Sequence, residues 1–275
     1  MLKYLKQRIK FRSYQSKLGL SFHDFNRLSR FGRKVYKDEE VSFFGNIIRF
    51  SSPFWFLHSL EEIFIEEVYR FKSDKEGHLI IDCGANIGLS AIYLKIMFPN
   101  AKIIAMEPDE KIFKQLKYNI KSFGFLDEIK LLQAAAWINY DKLTFVSEGS
   151  VGGHIIEVNA SDDRYIAVEA LRLKDLLKDQ NVFFLKIDIE GAEYEVLRDI
   201  KDDLVNVQNL FIEFHVKKDE DNKLDEILKW IKDAGFDYYI KEAWNNMEYP
   251  FTKELNDKNG YQMQLNISCF RNEEN

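Results

Sequence analysis

The chain has 275 residues, 46% of them hydrophobic, 15% aromatic and 31% charged, with two cysteines and a formal net charge of -6. This length accommodates one large α/β domain or two small ones, and the composition lies far from collagen-like, mucin-like or disordered bias. Cys83 and Cys269 are too few for a disulfide framework or a four-thiolate zinc site, so a reducing compartment is the simplest context.

Charge is unevenly placed. Residues 1 to 37 hold eleven Lys or Arg against one acid, Asp24, a balance of +10 that leaves -16 on the rest. An acidic body repels phosphates, which argues against nucleic acid as its partner. Within the basic arm, Leu2, Leu5, Ile9 and Phe11 recur at roughly helical spacing, as in a helix that lies on anionic lipid or meets an acidic protein. The plainer alternative is a helix packed on its own domain. The arm lacks the continuous apolar core and cleavage site of a secretory signal, and runs such as Phe54 to Leu57 and Val182 to Leu185 fall far short of the ~20 residues of a membrane-spanning helix. The expectation is a cytoplasmic chain divided into a basic extension over 1–41, able to reach the inner face of the membrane, and one domain over 42–275.

Two aromatic segments, Phe54-Trp55-Phe56 and Phe64 to Phe71, precede the first predicted strand and are expected to cover the ligand end of the sheet, with Tyr69 reaching it. From about residue 79, short apolar runs alternate with amphipathic segments, the pattern of β-α-β-α units around a parallel sheet. Strands are predicted at Leu79 to Cys83, Lys102 to Met106, Ile129 to Leu132, Val182 to Ile187 and Asn209 to Phe214. Two more, Phe236 to Ile240 and Met263 to Phe270, joined by a polar connection with turn residues Asn259 and Gly260, would close one edge. The helix after the second strand shows the reasoning: Asp109 is a natural N-cap, Ile112, Phe113, Leu116, Ile120 and Phe123 mark one face, and Gly124 ends it.

The first strand runs into Asp82-Cys83-Gly84-Ala85-Asn86-Ile87-Gly88-Leu89-Ser90, which puts two glycines and an asparagine at the turn into a helix. Gly84 and Gly88 permit torsions and close approaches that a Cβ would block, and the helix presents its N-terminal amides to a ligand. Glu107 ends the second strand 23 residues after Gly84, where an acid accepts hydrogen bonds from a ribose hydroxyl pair. Asn86 and Leu89 replace the second and third glycines of a dinucleotide loop, and no Gly-Lys-Ser or Gly-Lys-Thr follows, so a nucleoside without a phosphate chain fits best. The plainer alternative is a tight turn beside a solvated acid.

In the fourth strand, period-2 alternation puts Lys186, Asp188 and Glu190 on one face and Leu185, Ile187 and Ile189 on the other. A lysine inside a parallel sheet must be paired, and Asp188 is the obvious partner. Glu213 and His215 share a face of the fifth strand, so Asp188, Glu190, Glu213 and His215 are expected to converge beside the ligand crevice.

Asp82-x-Gly84-Ala85-Asn86-x-Gly88, then Glu107-Pro108-Asp109, then Leu185-Lys186-Ile187-Asp188-Ile189-Glu190-Gly191-Ala192-Glu193 resembles the FkbM family of S-adenosylmethionine-dependent methyltransferases, over about Ile80 to His215. The resemblance implies a class I methyltransferase (Rossmann-like) fold: an α/β domain with a mostly parallel seven-stranded sheet, one antiparallel strand and helices on both faces, here with an N-terminal helical extension. It implies methyl transfer to a hydroxyl of a glycan or natural product, a sugar of a bacterial surface glycan above all. It puts the methionine part of S-adenosylmethionine against Asp82, Gly84 and Asn86, the ribose on Glu107 and the adenine near Gln133 and Ala134, with Ala85, Gly88, Ser90, Pro108 and Asp188 completing the cofactor set. Trp137 is read as core in preference to an adenine wall.

Methyl transfer to oxygen is an in-line displacement that needs the acceptor positioned and its proton removed. His215 is assigned the base, Asp188 and Glu190 orient the acceptor hydroxyls or the cofactor amine, and Lys186 holds Asp188. The alternative is a purely structural ion network. A divalent metal on Asp188, Glu190 and His215 is chemically feasible, but the same acids serve as sugar-hydroxyl acceptors, so none is assigned. Ser147 to Arg164, with Gly149, Gly152 and Gly153 around His154, reads as a substrate loop, and His154 as a second candidate base. A non-catalytic cofactor-binding or membrane-surface scaffold protein is the competing function.

Overall fold

The computed structural model describes residues 11, 17, 19–72, 77–146, 154–156, 165–218, 221–256 and 261–271. Leu2, Leu5 and Ile9 of the basic arm, most of the predicted substrate loop, and the turn residues Asn259 and Gly260 lie outside them.

Helix α1 (Phe22–Leu28) starts at Ser21, whose side chain accepts from Asp24 N. Phe11 is buried against it, 5.3 Å from the Phe22 ring and 5.6 Å from the Phe25 ring. The described part of the arm's apolar stripe therefore packs on the chain's own helix. Strands β1 (Glu39–Phe43) and β2 (Asn46–Phe50) form an antiparallel hairpin, and alternation sends Val41, Phe43, Ile48 and Phe50 inward. This hairpin was not among the expected elements. Helix α2 (Pro53–Leu60), started by a proline in its first turn, stacks Phe56 on Phe50 at 4.1 Å and continues into a π-helical turn, Glu61–Ile65.

The α/β part runs β3 (Leu79–Cys83), α3 (Leu89–Met97), β4 (Lys102–Met106), α4 (Glu110–Ser122) and β5 (Ile129–Leu132), with boundaries at or within a residue of those expected. Asp109 caps α4, its Oδ1 accepting from Lys111 N and Ile112 N. After β6 (Ala135–Trp137), β7 (Lys142–Val146), β8 (His154–Ile156), β9 (Tyr165–Arg172) and the short α5 (Leu173–Leu177) come β10 (Val182–Ile187), α6 (Glu193–Ile200), β11 (Val207–Lys217), α7 (Leu224–Asp233), β12 (Asp237–Glu242) and β13 (Tyr261–Phe270).

Seven strands form the central sheet in the order β12-β13-β11-β10-β3-β4-β5. The strands from β11 to β5 are mutually parallel, and β13 runs antiparallel to both its neighbours. Strand β11 outruns the expected Asn209 to Phe214 because β13 pairs with it as far as Lys217. Both faces are covered, as parallel strands require: Ile80, Ile103 and Phe184 belong to a core shared with the hairpin, α2, α3 and α4, while Ile81, Leu185 and Ile212 belong to a second core with α6 and α7.

A four-stranded sheet, β6-β9-β7-β8, lies between β5 and β10, and of the expected substrate loop Ser147 to Arg164 only His154–Ile156 are among the described residues, where they form β8. The backbone of His154 belongs to β8, paired opposite Val146. Trp137 packs against the second core, as expected. Among the described residues no helix is long and apolar enough to cross a membrane.

Candidate active site

Strand-end loops at the carboxyl edge of the sheet surround one cavity of about 210 Å³, the place where ligands bind in open α/β sheets. Gly84 follows β3 at φ +81°, and a Cβ there would lie 1.9 Å from the carbonyl oxygen of Asp188, so only glycine lets the two loops touch. Asp188 N in turn donates to Cys83 O at 3.2 Å. Gly88 is different: it begins α3 at φ +92°, and a Cβ would strike Leu116 Cδ1 at 2.7 Å, so it serves helix packing and does not line the cavity.

Glu107 is buried at the end of β4 and accepts from Asn86 N at 3.0 Å and Asp109 N at 2.9 Å, one backbone donor per carboxylate oxygen. Burial pushes its pKa up to about 8, with the two donors opposing the rise. Gly84, Ala85, Asn86, Ser90, Glu107, Pro108, Ala134 and Asp188 all line the cavity. Gln133 is exposed and does not. Asp82 lies beneath the wall, fully buried, accepting from Ser90 Oγ at 2.5 Å.

Lys186 is paired as expected with Asp188, at 3.2 Å, and also with Asp82, at 3.3 Å, while its Nζ donates to Gly84 O at 2.9 Å. Burial works against its charge, but Asp188 and Asp82 outweigh burial and hold its pKa well above the ordinary value. The ammonium thus ties the end of β10 to the glycine loop.

The His215 imidazole is buried and does not line the cavity, a departure from the accessible base expected there. Its Nδ1 is 3.2 Å from Glu193 Oε1, and its Nε2 is 3.5 Å from Glu190 Oε2 and 3.6 Å from Glu213 Oε1. Burial disfavours its charge, yet Glu190 and Glu193 raise its pKa well above the ordinary value, which favours the imidazolium form, a form with no lone pair to offer. Glu193, fully buried at the start of α6, also accepts from Ile189 N at 3.1 Å and Gly191 N at 3.0 Å and so shapes the turn in which Glu190 takes φ +57°. Tyr261 Oη donates to Glu190 Oε2 at 3.2 Å. Asp188, Glu213 and His215 offer ligand atoms within 4.8 Å of one another, which puts Glu213 in the place foreseen for Glu190 in a metal-binding triad.

Several lining residues had no sequence signal. Trp55 and Tyr69 come from the aromatic segments expected to cover this end of the sheet, whereas His58, Glu62, Trp244, Tyr261 and Gln264 were not singled out. Arg33 lies over the Trp244 ring at 4.2 Å and over Trp55 at 5.2 Å. Glu62, on the π-helical turn, accepts from Asn266 Nδ2 at 2.9 Å, and burial followed by the charge of Glu213 lifts its pKa to about 7.

A mostly parallel seven-stranded sheet with one antiparallel strand, and a buried acid at the end of its second parallel strand beside a glycine loop, define a class I methyltransferase. The family model described as Methyltransferase FkbM domain matches residues 82–238, and the chain belongs to that family of S-adenosylmethionine-dependent methyltransferases. It is 26% identical over 211 residues to Methyltransferase sdnD of Sordaria araneosa, covering 64% of this chain and 80% of that one. It is 28% identical over 174 residues to Methyltransferase 1 of Beauveria bassiana, covering 54% and 68%. The crystal structure of the methyltransferase FkbM from Methylobacillus flagellatus is similar at 16% identity and a TM-score of 0.47, over 70% of this chain and 44% of that one, so the match spans less than half of that protein.

Proposed function

We propose that the protein is an O-methyltransferase whose acceptor is a hydroxyl of a sugar, in a bacterial surface glycan or a natural product. The observation that carries this reading is the bank of carboxylates Glu62, Asp188, Glu190 and Glu213 in the same cavity as Glu107, walled by Trp55, Trp244 and Tyr261. Carboxylates accept hydrogen bonds from adjacent hydroxyls, and aromatic faces cover the apolar side of a sugar ring.

The donor set fits S-adenosylmethionine. Each oxygen of Glu107 holds one backbone N–H and keeps a lone pair for a ribose hydroxyl. Gly84, Asn86 and Asp188 would hold the methionine part, with Asp82 supporting them from below, and Pro108 and Ala134 would flank the adenine. When bound, the cofactor supplies an electrophilic methyl group on sulfur. The chain's own residues do the rest. Lys186 fixes Asp188, Glu193 shapes the turn that carries Glu190, and the His215 imidazolium holds Glu190 and Glu213 in line, a positioning role in place of the base role. The acceptor proton must then go to a carboxylate that faces the cavity.

Calorimetric titration of S-adenosylmethionine and S-adenosylhomocysteine into the chain and into Glu107→Ala tests the cofactor site. Loss of the two Glu107 hydrogen bonds to the ribose should weaken binding by about 2 kcal/mol, roughly 30-fold in Kd. Methyl transfer to a panel of methyl glycosides then tests the acceptor, and binding without any methyl ether product would remove the hydroxyl reading. We further propose that residues 1–41 are an extension that brings the domain over 42–275 to the anionic inner face of the membrane from the cytoplasm, on the strength of their charge. Replacing Lys3, Lys6, Arg8 and Lys10 by Gln should abolish flotation with anionic vesicles, and unchanged flotation would refute it.

A further inference from the structure

We propose that Glu62 is the general base that takes the proton from the acceptor hydroxyl. This rests on the O-methyltransferase reading and deepens it by choosing among the carboxylates of the cavity.

The choice follows from what each carboxylate already holds. Asp188 is ion-paired through Oδ2 to Lys186 at 3.2 Å and is assigned to the methionine end of the cofactor. Glu190 faces the His215 imidazolium at 3.5 Å and accepts from Tyr261 Oη, and Glu213 faces the same imidazolium at 3.6 Å. Glu107 carries one backbone donor on each oxygen and commits its remaining lone pairs to the ribose of the cofactor. Asp109 spends Oδ1 on two amides as the cap of α4.

Glu62 is held by a neutral group instead. Asn266 Nδ2 donates to its Oε1, and no described hydrogen bond or ion pair engages its Oε2. After burial, the largest charges acting on it are those of Glu213, Asp188 and Glu66, all negative, while Lys241 of β12, paired with Glu66, acts on it more weakly with the opposite sign. Burial and these charges raise its pKa to about 7, so near neutrality it is available as a base, whereas Glu190, raised to about 8 chiefly by burial, keeps its proton there and is already engaged by His215 and Tyr261.

Its placement suits the role. Helix α2 widens into a π-helical turn at Glu61–Ile65, a feature that recurs at functional sites because it redirects a side chain without ending the helix. The turn brings Glu62 over the side of the sheet where Lys186, Glu213 and Asn266 point, since Asn266 is paired with Glu213 across β11 and β13. Asn266 is itself buried, so it fixes the carboxylate without supplying charge. In the transfer, the proton passes to Glu62 Oε2 as the freed lone pair of the hydroxyl oxygen forms the bond to the methyl carbon. The carbon–sulfur bond breaks with its electron pair kept by sulfur, which loses its positive charge. Atoms and charge balance with no further reactant.

The test uses the full chain and Glu62→Gln, which preserves shape and the Asn266 hydrogen bond. Calorimetry with S-adenosylhomocysteine should give the same Kd for both, since Glu62 is no part of the cofactor cradle. With labelled S-adenosylmethionine and the methyl glycoside panel, kcat should fall about 100-fold or more with KM little changed. The lower ionisation in the pH profile should vanish, and Glu62→Asp should recover part of the rate. Independently of turnover, the carboxyl resonance of the ¹³C-labelled chain that disappears in Glu62→Gln should titrate near neutrality. A Gln variant within threefold of the parent kcat, or a Glu62 resonance titrating below pH 5, would overturn the assignment while leaving the methyltransferase reading intact. A parent chain that binds the cofactor but forms no methyl ether overturns the hydroxyl reading, and the base role falls with it.

Discussion

Lys186 shows how a charge is tolerated inside a parallel sheet. Its side chain is 3% exposed, and it persists because Asp82, Asp188 and the Gly84 carbonyl surround the ammonium. The residue is therefore structural and functional at once, since the groups it binds are the two loops that make the cavity. Replacing it by Met strands the fully buried Asp82 and leaves the half-buried Asp188 without its partner. The expected result is a loss of about 3 to 5 kcal/mol in chemical denaturation, and a loss below about 1 kcal/mol would show that the acids take up protons at little cost. His215 is the opposite lesson. Its position was legible from strand alternation, but its raised pKa depends on Glu190 and on Glu193, whose carboxylate reaches it from the preceding helix, α6. A motif names the residue; the charge on it is set by neighbours that the motif does not describe.

The elements that place the site differ in how plainly they were written. Strands β3, β4, β5 and β10 and helix α4 were legible because their signals are local: apolar runs, a 3.6-residue stripe, an Asp cap, a glycine stop. The β1–β2 hairpin was not, because its turn uses Phe44 and Gly45 at positive φ in place of the Asn-Gly pair that marks such turns. Asn119 interrupts the apolar stripe of α4, fully buried, and only the fold explains it. Its side chain donates to Arg49 O and Ile87 O and accepts from Arg49 N, joining β2 to the glycine loop. At this scale the sharpest expectation concerns Gly84→Ala. A methyl group placed 1.9 Å from the Asp188 carbonyl at φ +81° must drive the two loops apart. The variant should lose more than about 2 kcal/mol of stability and saturable binding of S-adenosylhomocysteine. Wild-type affinity in this variant would mean that the loops do not need their contact.

Across the whole molecule, the cavity is an acidic basin in an acidic body, and that dictates how stability follows pH. Glu62, Glu107 and Glu190 retain their protons to about 7, about 8 and about 8, chiefly through burial, and His215 retains its own well above the ordinary value. Each binds more protons in the native than in the unfolded chain between about pH 5 and 8, so unfolding free energy falls as pH rises through that range. Asp38, Glu39 and Glu67 act in the other direction: Ser51 with Lys111, Lys37 with Arg27, and Lys17 with Arg70 hold them below their ordinary values, so their contribution is lost as pH falls below about 4. Thermal unfolding should therefore show a maximum Tm near pH 5 and a lower Tm at pH 8. A Tm that is flat or rising between pH 5 and 8 would contradict the protonation of the basin.

By itself the sequence determined the doubly covered parallel sheet, the glycine loop with Glu107 at the end of the second parallel strand, and the family. These follow from periodicity and from residues within a few positions of one another, which the backbone reads directly. Only the tertiary structure decided which acids face the cavity and which are spent on Lys186 and His215. It also supplied Glu62 and Tyr261 from segments with no motif, because Glu62 in Glu61-Glu62-Ile63-Phe64 looks like a solvated acid until a π-helical turn and Asn266 bring it over the sheet. The basicity of a buried group depends on the charges and dielectric around it, and those are assembled from residues far apart in the chain.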